Sequence, residues 1–194
     1  MKSNNEFNIG QSIHTIEAAL QHTRSQKTGA SFYYILWGTV LAIYFGVHFL
    51  SMHFFSEWSR EIGNFSWIVF PVGGILSGIK KRRDDEKETA VGPLEKVYFW
   101  SFVGFASVYG IVTVISIGMN NSLSLALFPL FLGSTVFIVG GISKHYPSVI
   151  LGGLSMLLAL MTLTNDLEFQ YGLAAMSAVI AAIIPGLLMR KADV

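Results

Sequence analysis

Between Val97 and Met189 only three residues carry a formal charge, namely Lys144, Asp166 and Glu168. Each of them lies in a short polar break between long apolar blocks. A water-soluble protein of this size exposes many more charged side chains, because solvent contacts its whole surface. The sequence therefore predicts a chain that is embedded in lipid, and an overall hydrophobic content of 52% with 13% charged residues agrees.

The apolar blocks have the lengths of membrane helices. A helix needs about 20 apolar residues to cross the hydrocarbon core, and in lipid a helix satisfies its own backbone hydrogen bonds. Six blocks are predicted to cross: about 31–53, 65–80, 97–118, 123–142, 147–165 and 170–189. We therefore expect an all-α polytopic membrane protein, with a six-helix domain over 31–191 preceded by a cytoplasmic segment over 1–30.

The basic residues predict the orientation. If the N-terminus is cytoplasmic, every lysine and arginine except Arg60 falls on the cytoplasmic side, which is the side where basic loops are enriched. Both termini are then cytoplasmic. The loop 80–96 carries the densest basic run, which is predicted to fix the topology and to contact lipid headgroups. That run consists of Lys80, Lys81, Arg82 and Arg83.

Aromatic residues recur at the ends of the predicted crossings. Tyr146 and Tyr171, for example, stand at the starts of the fifth and sixth blocks. Amphipathic rings favour the headgroup zone, so both are predicted to be interfacial anchors.

Residues 9–27 form an amphipathic stretch before the first crossing. Apolar residues recur in it at helical spacing; they are Ile9, Ile13, Ile16 and Leu20. Gly29 is predicted to end this helix before the membrane helix begins. Two interpretations remain open: a helix that lies along the inner interface or against the bundle, and a docking helix for a cytoplasmic protein partner.

The first outer loop contains the most suggestive group of polar residues. His53, Glu57 and Glu61 are spaced four residues apart, so a helical continuation of the first crossing would place them on one face. His48 lies earlier, nearer the lipid. Imidazole and carboxylates at this spacing bind divalent cations such as Zn²⁺ or Mn²⁺. The alternative is an ordinary wetted rim, because the residues match no established ligand motif.

Other mechanisms are disfavoured by what the chain lacks. The apolar centres of the second to sixth blocks contain no Asp, Glu, Lys, Arg or His, although ion-coupled transporters and intramembrane proteases use such groups. The absence of cysteine excludes disulfides and a thiol nucleophile. A net charge of +1 does not suggest nucleic acid, and no cofactor is predicted.

Small residues at four-residue spacing predict close helix packing. Gly74 and Gly78 form one such pair, and Ala174, Ala178 and Ala182 form a ridge on the sixth block. Small side chains let membrane helices approach closely. They are predicted to pack within one bundle, with a homodimer face as the alternative.

Several short motifs resemble a group of small bacterial six-helix integral membrane proteins. They are Leu36-Trp37-Gly38, the Pro71–Gly78 run PVGGILSG, the stretch from Lys144 to Gly153, and Ile184-Pro185-Gly186. The resemblance spans most of the chain and implies a bacterial cytoplasmic membrane, but it implies no activity.

Three functions follow as hypotheses. The first is a non-enzymatic protein with a sensing, regulatory or scaffolding role. The second is a small transporter or channel for a neutral solute. The third is a metal-dependent membrane protein that uses the outer histidine and glutamate residues.

Overall fold

The computed structural model describes the backbone of residues 9–85, 93–119 and 122–191. Within these ranges it describes every side chain except those of residues 9–29, 60, 64, 84–85, 93–96 and 98–99. The helices are α1 (Ile9–Phe54), α2 (Ser59–Ser66), α3 (Val69–Asp85), α4 (Pro93–Gly118), α5 (Leu123–Ile142), α6 (Tyr146–Thr162), α7 (Leu167–Ala178) and α8 (Ile184–Lys191). A 3₁₀ turn (Ser56–Trp58) follows α1, and a π-helical turn (Val179–Ile183) joins α7 to α8. These described ranges contain no strand, which confirms the predicted all-α class.

Four helical segments are long and apolar enough to cross a membrane. They are Ala30–Phe54, Trp100–Gly118, Leu123–Ile142 and Leu167–Lys191. The fifth predicted block corresponds to α6, which is apolar but has 17 residues. The second block is divided, because α2 ends at Ser66 and α3 begins at Val69. The four long apolar segments indicate a membrane protein.

Helix α1 continues without a break from the polar N-terminal segment into the first apolar segment. The prediction that Gly29 ends a separate helix is therefore wrong, since Gly29 lies inside the 46-residue helix. A mid-helix glycine costs only about 1 kcal/mol relative to alanine, and α1 contains no proline. At 1.5 Å per residue α1 is about 70 Å long, of which roughly 30 Å precedes the apolar segment.

The apolar part of α1 packs antiparallel on α7 and α8. A Cβ atom placed on Gly186 would lie 2.7 Å from Ile35 Cγ1, and one on Gly38 would lie 2.8 Å from Ala182 Cβ. The predicted alanine ridge contributes to this core, because the side chains of Ala174, Ala178 and Ala182 are buried.

Helices α5 and α6 form the closest hairpin in the described chain. A Cβ atom on Gly133 would lie 2.6 Å from the carbonyl oxygen of Gly152, so the two backbones touch. Across the same contact, Ser155 Oγ donates a hydrogen bond to the Pro129 carbonyl (3.0 Å), and Thr162 Oγ1 donates one to the Ala126 carbonyl (2.5 Å). Close backbone approach and interhelical hydrogen bonds hold membrane helices together.

The charged residues whose side chains the structure describes separate to the two ends of the bundle. At one end, called the basic end, Lys80 Nζ lies 5.9 Å from the centre of the Phe32 ring, beside the start of the apolar part of α1. At the other, called the acidic end, His53 meets Glu168. The direction of each helix assigns the other charged residues to one of these two ends. The basic end holds Lys81, Arg82, Arg83, Lys144, Arg190 and Lys191; the acidic end holds Glu57, Glu61, Asp166 and Glu168.

Candidate functional site

His48 lies inside the bundle near the acidic end and is held by α2. Its Nδ1 is 3.0 Å from the Tyr44 carbonyl oxygen and 3.2 Å from Ser66 Oγ. Because Ser66 donates its own proton to the Gly63 carbonyl (2.6 Å) and a carbonyl only accepts, we assign the imidazole proton to Nδ1. Nε2 then carries the lone pair, and it faces Gly63, where an added Cβ would lie 2.9 Å away.

His53 makes a different contact. Its Nδ1 lies 2.7 Å from a carboxylate oxygen of Glu168, so the last turn of α1 is joined to the first turn of α7. The histidine side chain is 54% exposed and that of Glu168 33% exposed. An exposed pair of this kind contributes little to stability.

The four predicted metal ligands do not form one cluster. The expectation that His53, Glu57 and Glu61 share a helical face is wrong, because α1 ends at Phe54 and a turn intervenes before α2. Both glutamates are exposed, whereas His48 is half-buried. Among the residues that the structure describes, no three histidine or acidic side chains lie close enough to hold a metal ion.

Three tyrosines from three helices belong to the network of aromatic contacts that includes His48. Tyr44 belongs to α1, Tyr109 to α4 and Tyr171 to α7, and each is half-buried. Tyr109 is connected to the other two through Phe128 and Phe45, whose rings contact each other and these tyrosines. The imidazole of His48 stacks on Tyr171, with ring centres 4.7 Å apart, and approaches Tyr44 at 4.6 Å. We call Tyr44, His48, Tyr109 and Tyr171 the tyrosine cluster.

Two phenylalanines pack beneath the tyrosine cluster. The ring centres of Phe45 and Phe128 are 4.5 Å apart, and both side chains are buried. Phe128 is 5.3 Å from Tyr109, and Phe45 is 5.1 Å from Tyr44 and 6.3 Å from Tyr171. The two phenylalanines therefore connect the tyrosines of α1, α4 and α7 within the core.

Sequence reasoning missed most of this site. Tyr44 and Tyr109 are single aromatic residues in apolar blocks and carry no local signal. Tyr171 was predicted to be an interfacial anchor, but it stacks on His48 between α1 and α7. Tyr146, predicted to have the same role, is 75% exposed at the basic end. One signal was available: Tyr44 and His48 stand four residues apart, which places them on one face of a helix.

The predicted packing glycines of α3 have no neighbour in the described chain. A Cβ atom on Gly74 or Gly78 would have nothing within 4 Å, so the expectation that they pack within one bundle is wrong for the described contacts. The homodimer alternative stays a prediction. The predicted headgroup residues Lys81, Arg82 and Arg83 are exposed at the basic end, and Lys80 is half-buried there.

Comparisons with known proteins add no assignment. No protein-family model matches the chain, and no curated protein or solved structure matches it either.

Proposed function

We propose that the chain is a non-enzymatic protein of the bacterial cytoplasmic membrane, with six crossings and both termini in the cytoplasm. The separation of basic from acidic residues between the two ends supports this orientation, because basic residues favour the cytoplasmic side. Helices α3 and α6 are short, at about 26 Å, but a short helix is accommodated by local thinning of the bilayer.

This topology predicts which single cysteines react with a membrane-impermeant maleimide in intact cells. The chain has no cysteine of its own, so every introduced thiol is unique. We expect labelling of Ser59→Cys, Asn121→Cys and Asp166→Cys, and labelling of Lys144→Cys and Lys191→Cys only after the cells are broken. Labelling of Lys144→Cys in intact cells would contradict the six-crossing arrangement.

The proposed role is sensing or regulation through α1. The single observation that carries it is the continuity of α1 from the tyrosine cluster to Ile9. A helix that continues a membrane crossing leaves the bilayer along its own axis, and it cannot lie flat on the interface without a break. The amphipathic segment is therefore available to a cytoplasmic protein, and a movement of Tyr44 or His48 is transmitted to it along one rigid element.

The apolar positions of the segment are predicted to bind that partner. A photoreactive maleimide is attached in cells to Ile16→Cys, and to Gln21→Cys as the control on another helical face. We expect a discrete protein adduct with the first variant and several-fold less of it with the second, because partner helices bind by their apolar face. Equal adducts from both positions, or adducts with lipid alone, would disprove the docking role.

A further inference from the structure

The apolar positions of the N-terminal segment lie on the same helical face as the residues of α1 that pack on α8. An α-helix returns to the same direction after five turns, or about 18 residues. Ile16 precedes Tyr34 by this interval, and Leu20 precedes Gly38 by it. Tyr34 meets Gly186 of α8, whose added Cβ would lie 3.0 Å from Tyr34 Cβ, and Gly38 meets the π-helical turn. We call the four apolar positions the apolar stripe: Ile9, Ile13, Ile16 and Leu20.

The apolar stripe stands beyond the basic end of the bundle. Leu20 precedes Ala30, where the apolar part of α1 begins, by about 15 Å along the helix axis. Helix α8 is antiparallel to α1, so Lys191, which follows Gly186 by somewhat more than one turn, is about level with Gly29. The described part of α8 therefore ends about 13 Å before the stripe begins. The side of α1 that α8 covers in the membrane continues past α8 as an apolar face.

Basic residues lie on the same side of α1, between the apolar stripe and the membrane domain. Lys27 precedes Phe45 by five helical turns, and Phe45 packs on Phe128 of α5. Arg190 and Lys191 are exposed at the end of α8, about level with Lys27 along the axis of α1. The described ends of α5, α6 and α8 at this level carry no acidic side chain. This side of α1 therefore changes from positive near the membrane to apolar further out.

We infer that the apolar stripe and the basic residues Lys27, Arg190 and Lys191 together bind an acidic amphipathic helix of a cytoplasmic protein. Apolar positions spaced by three and four residues bind the apolar face of a partner helix. The positive charges next to the stripe favour a helix that carries carboxylates. The distance from Ile9 to the level of Lys191 is about 30 Å, so a helix of about 20 residues spans both parts. Its acidic residues lie at the end nearest the membrane.

The position of α8 argues against a second copy of this chain as the occupant. If two N-terminal segments paired through their apolar stripes, α8 of each copy would lie on the side of α1 that faces the other copy. Packed helices are about 8–10 Å apart, and one helix with its side chains is about 10–12 Å wide. The space between the two α1 helices would therefore not hold both α8 helices. A partner helix outside the membrane avoids this overlap, because it occupies the space past the end of α8.

Two synthetic peptides test the charge preference. Both are amphipathic helices of about 20 residues with the same leucine face, and their polar faces carry glutamates in one and lysines in the other. Each labelled peptide is titrated against the full chain in phosphatidylcholine nanodiscs by fluorescence anisotropy, and empty nanodiscs give the background. We expect the acidic peptide to bind about tenfold more tightly than the basic one. Equal affinities, or no binding of the acidic peptide above the background, would overturn the inference.

Charge reversals locate the basic part of the surface. The double variant Arg190→Glu, Lys191→Glu is expected to weaken binding of the acidic peptide about tenfold. The control, Lys81→Glu with Arg83→Glu, makes the same change of charge at the same end of the bundle. It should weaken binding less than about threefold, because α3 meets α1 at Val40, on another helical face. Equal losses would mean that the overall charge of the basic end attracts the peptide, which contradicts the inference. If the α8 variant fails to insert, the ratio of the two peptides on the unmodified chain still decides.

Ile16→Ser tests the apolar part, with Gln21→Ser as the matched control on another helical face. We expect the first variant to weaken binding of the acidic peptide about tenfold and the second by less than about threefold, because only the first removes an apolar contact. Unchanged affinity in Ile16→Ser would show that the basic residues bind alone, as they would bind anionic lipid headgroups. That result contradicts a helix that spans both parts.

The inference deepens the proposed docking role of α1 and rests on it for the cytoplasmic position of the segment. The two fail separately. A protein adduct at Ile16→Cys in cells, without a preference for the acidic peptide, overturns the inference and leaves the docking role. Selective binding of the acidic peptide without an adduct in cells supports the surface and removes the evidence for a cellular partner.

Discussion

Gly152→Leu is expected to separate α5 from α6 and to lower the unfolding temperature by roughly 6–12 °C, which corresponds to about 3 kcal/mol in a chain of this size. A Cβ atom on Gly152 would lie 2.7 Å from the Gly133 carbonyl oxygen and 2.7 Å from the Phe137 nitrogen. Both are backbone atoms, so no side-chain rotation relieves the overlap and one helix must move away from the other.

The loss of stability in Gly152→Leu is not limited to the steric overlap. Apart from Leu158, the buried residues of α6 are small or carry a hydroxyl group: Ser148, Gly152, Ser155, Ala159 and Thr162. They recur at spacings of three and four residues, as in a closely packed helix pair. Moving α6 outward also breaks the hydrogen bonds from Ser155 to Pro129 and from Thr162 to Ala126.

Gly153→Leu is the matched control. Gly153 is the next residue in the same helix, but its added Cβ would have only one neighbour within 4 Å, the Phe137 ring at 3.9 Å. The measurement is the thermal unfolding of both variants in the same detergent, followed by loss of the monodisperse species. We expect Gly153→Leu to unfold within about 2 °C of the unmodified chain. A similar loss for both variants would show that lipid exposure rather than the α5–α6 contact sets the stability.

The parts of the fold that follow from the hydrophobicity of single sequence segments were predictable. The apolar blocks 123–142 and 31–53 match helical segments closely because membrane helices follow from length and apolar character. The predicted block 31–53 ends within one residue of Phe54, where α1 ends. The turn that separates α1 from α2 was not predictable, since the residues after Phe54 include neither glycine nor proline until Gly63.

The glycine contacts also show that the sequence reveals local spacing but not tertiary contacts. The sequence shows that Gly74 and Gly78 are four residues apart, but not what lies opposite them, and the described chain places nothing there. Gly133 and Gly152, which do touch, are 19 residues apart and become neighbours only when α5 and α6 fold back on each other. The buried residues Ser148, Ser155 and Thr162 of α6 do carry a readable sequence signal, a spacing of seven.

The tyrosine cluster could not be assembled from the sequence for a related reason. Its members come from α1, α4 and α7, and each appears in the sequence as one aromatic residue in an apolar block. Aromatic residues in such blocks pack against lipid as readily as against each other. Only the packing of α7 on α1, which brings Tyr171 onto His48, distinguishes the two outcomes.

Gly38→Leu is expected to detach the basic half of α1 from the π-helical turn and to lower the unfolding temperature by roughly 6–12 °C. An added Cβ at this position would lie 2.8 Å from Ala182 Cβ, 2.9 Å from Ile183 Cγ1 and 3.0 Å from the Ile183 nitrogen. The turn is already constrained, because Ile184 bonds to the carbonyl five residues back and Pro185 follows it. The π-helical turn therefore cannot shift to relieve the overlap unless α8 moves as well.

The same variant tests whether the support of α1 at the π-helical turn matters for partner binding. The contacts of His48 with Tyr171 and of His53 with Glu168 lie on the other side of the turn. We therefore expect Gly38→Leu, at a temperature where it stays folded, to keep both contacts. The yield of the adduct formed at Ile16→Cys should fall several-fold, because the part of α1 between the turn and the amphipathic segment has lost its support.

Gly46→Leu tests the same helix without the overlap, since an added Cβ there would have no neighbour within 4 Å. It should keep the unfolding temperature and the yield of the adduct at Ile16→Cys. If Gly46→Leu abolishes the adduct while Gly38→Leu preserves it, the amphipathic segment does not depend on the support of α1 at the π-helical turn. In that case α1 only anchors the amphipathic segment to the membrane domain, and a signal from the tyrosine cluster must travel through α4 or α7.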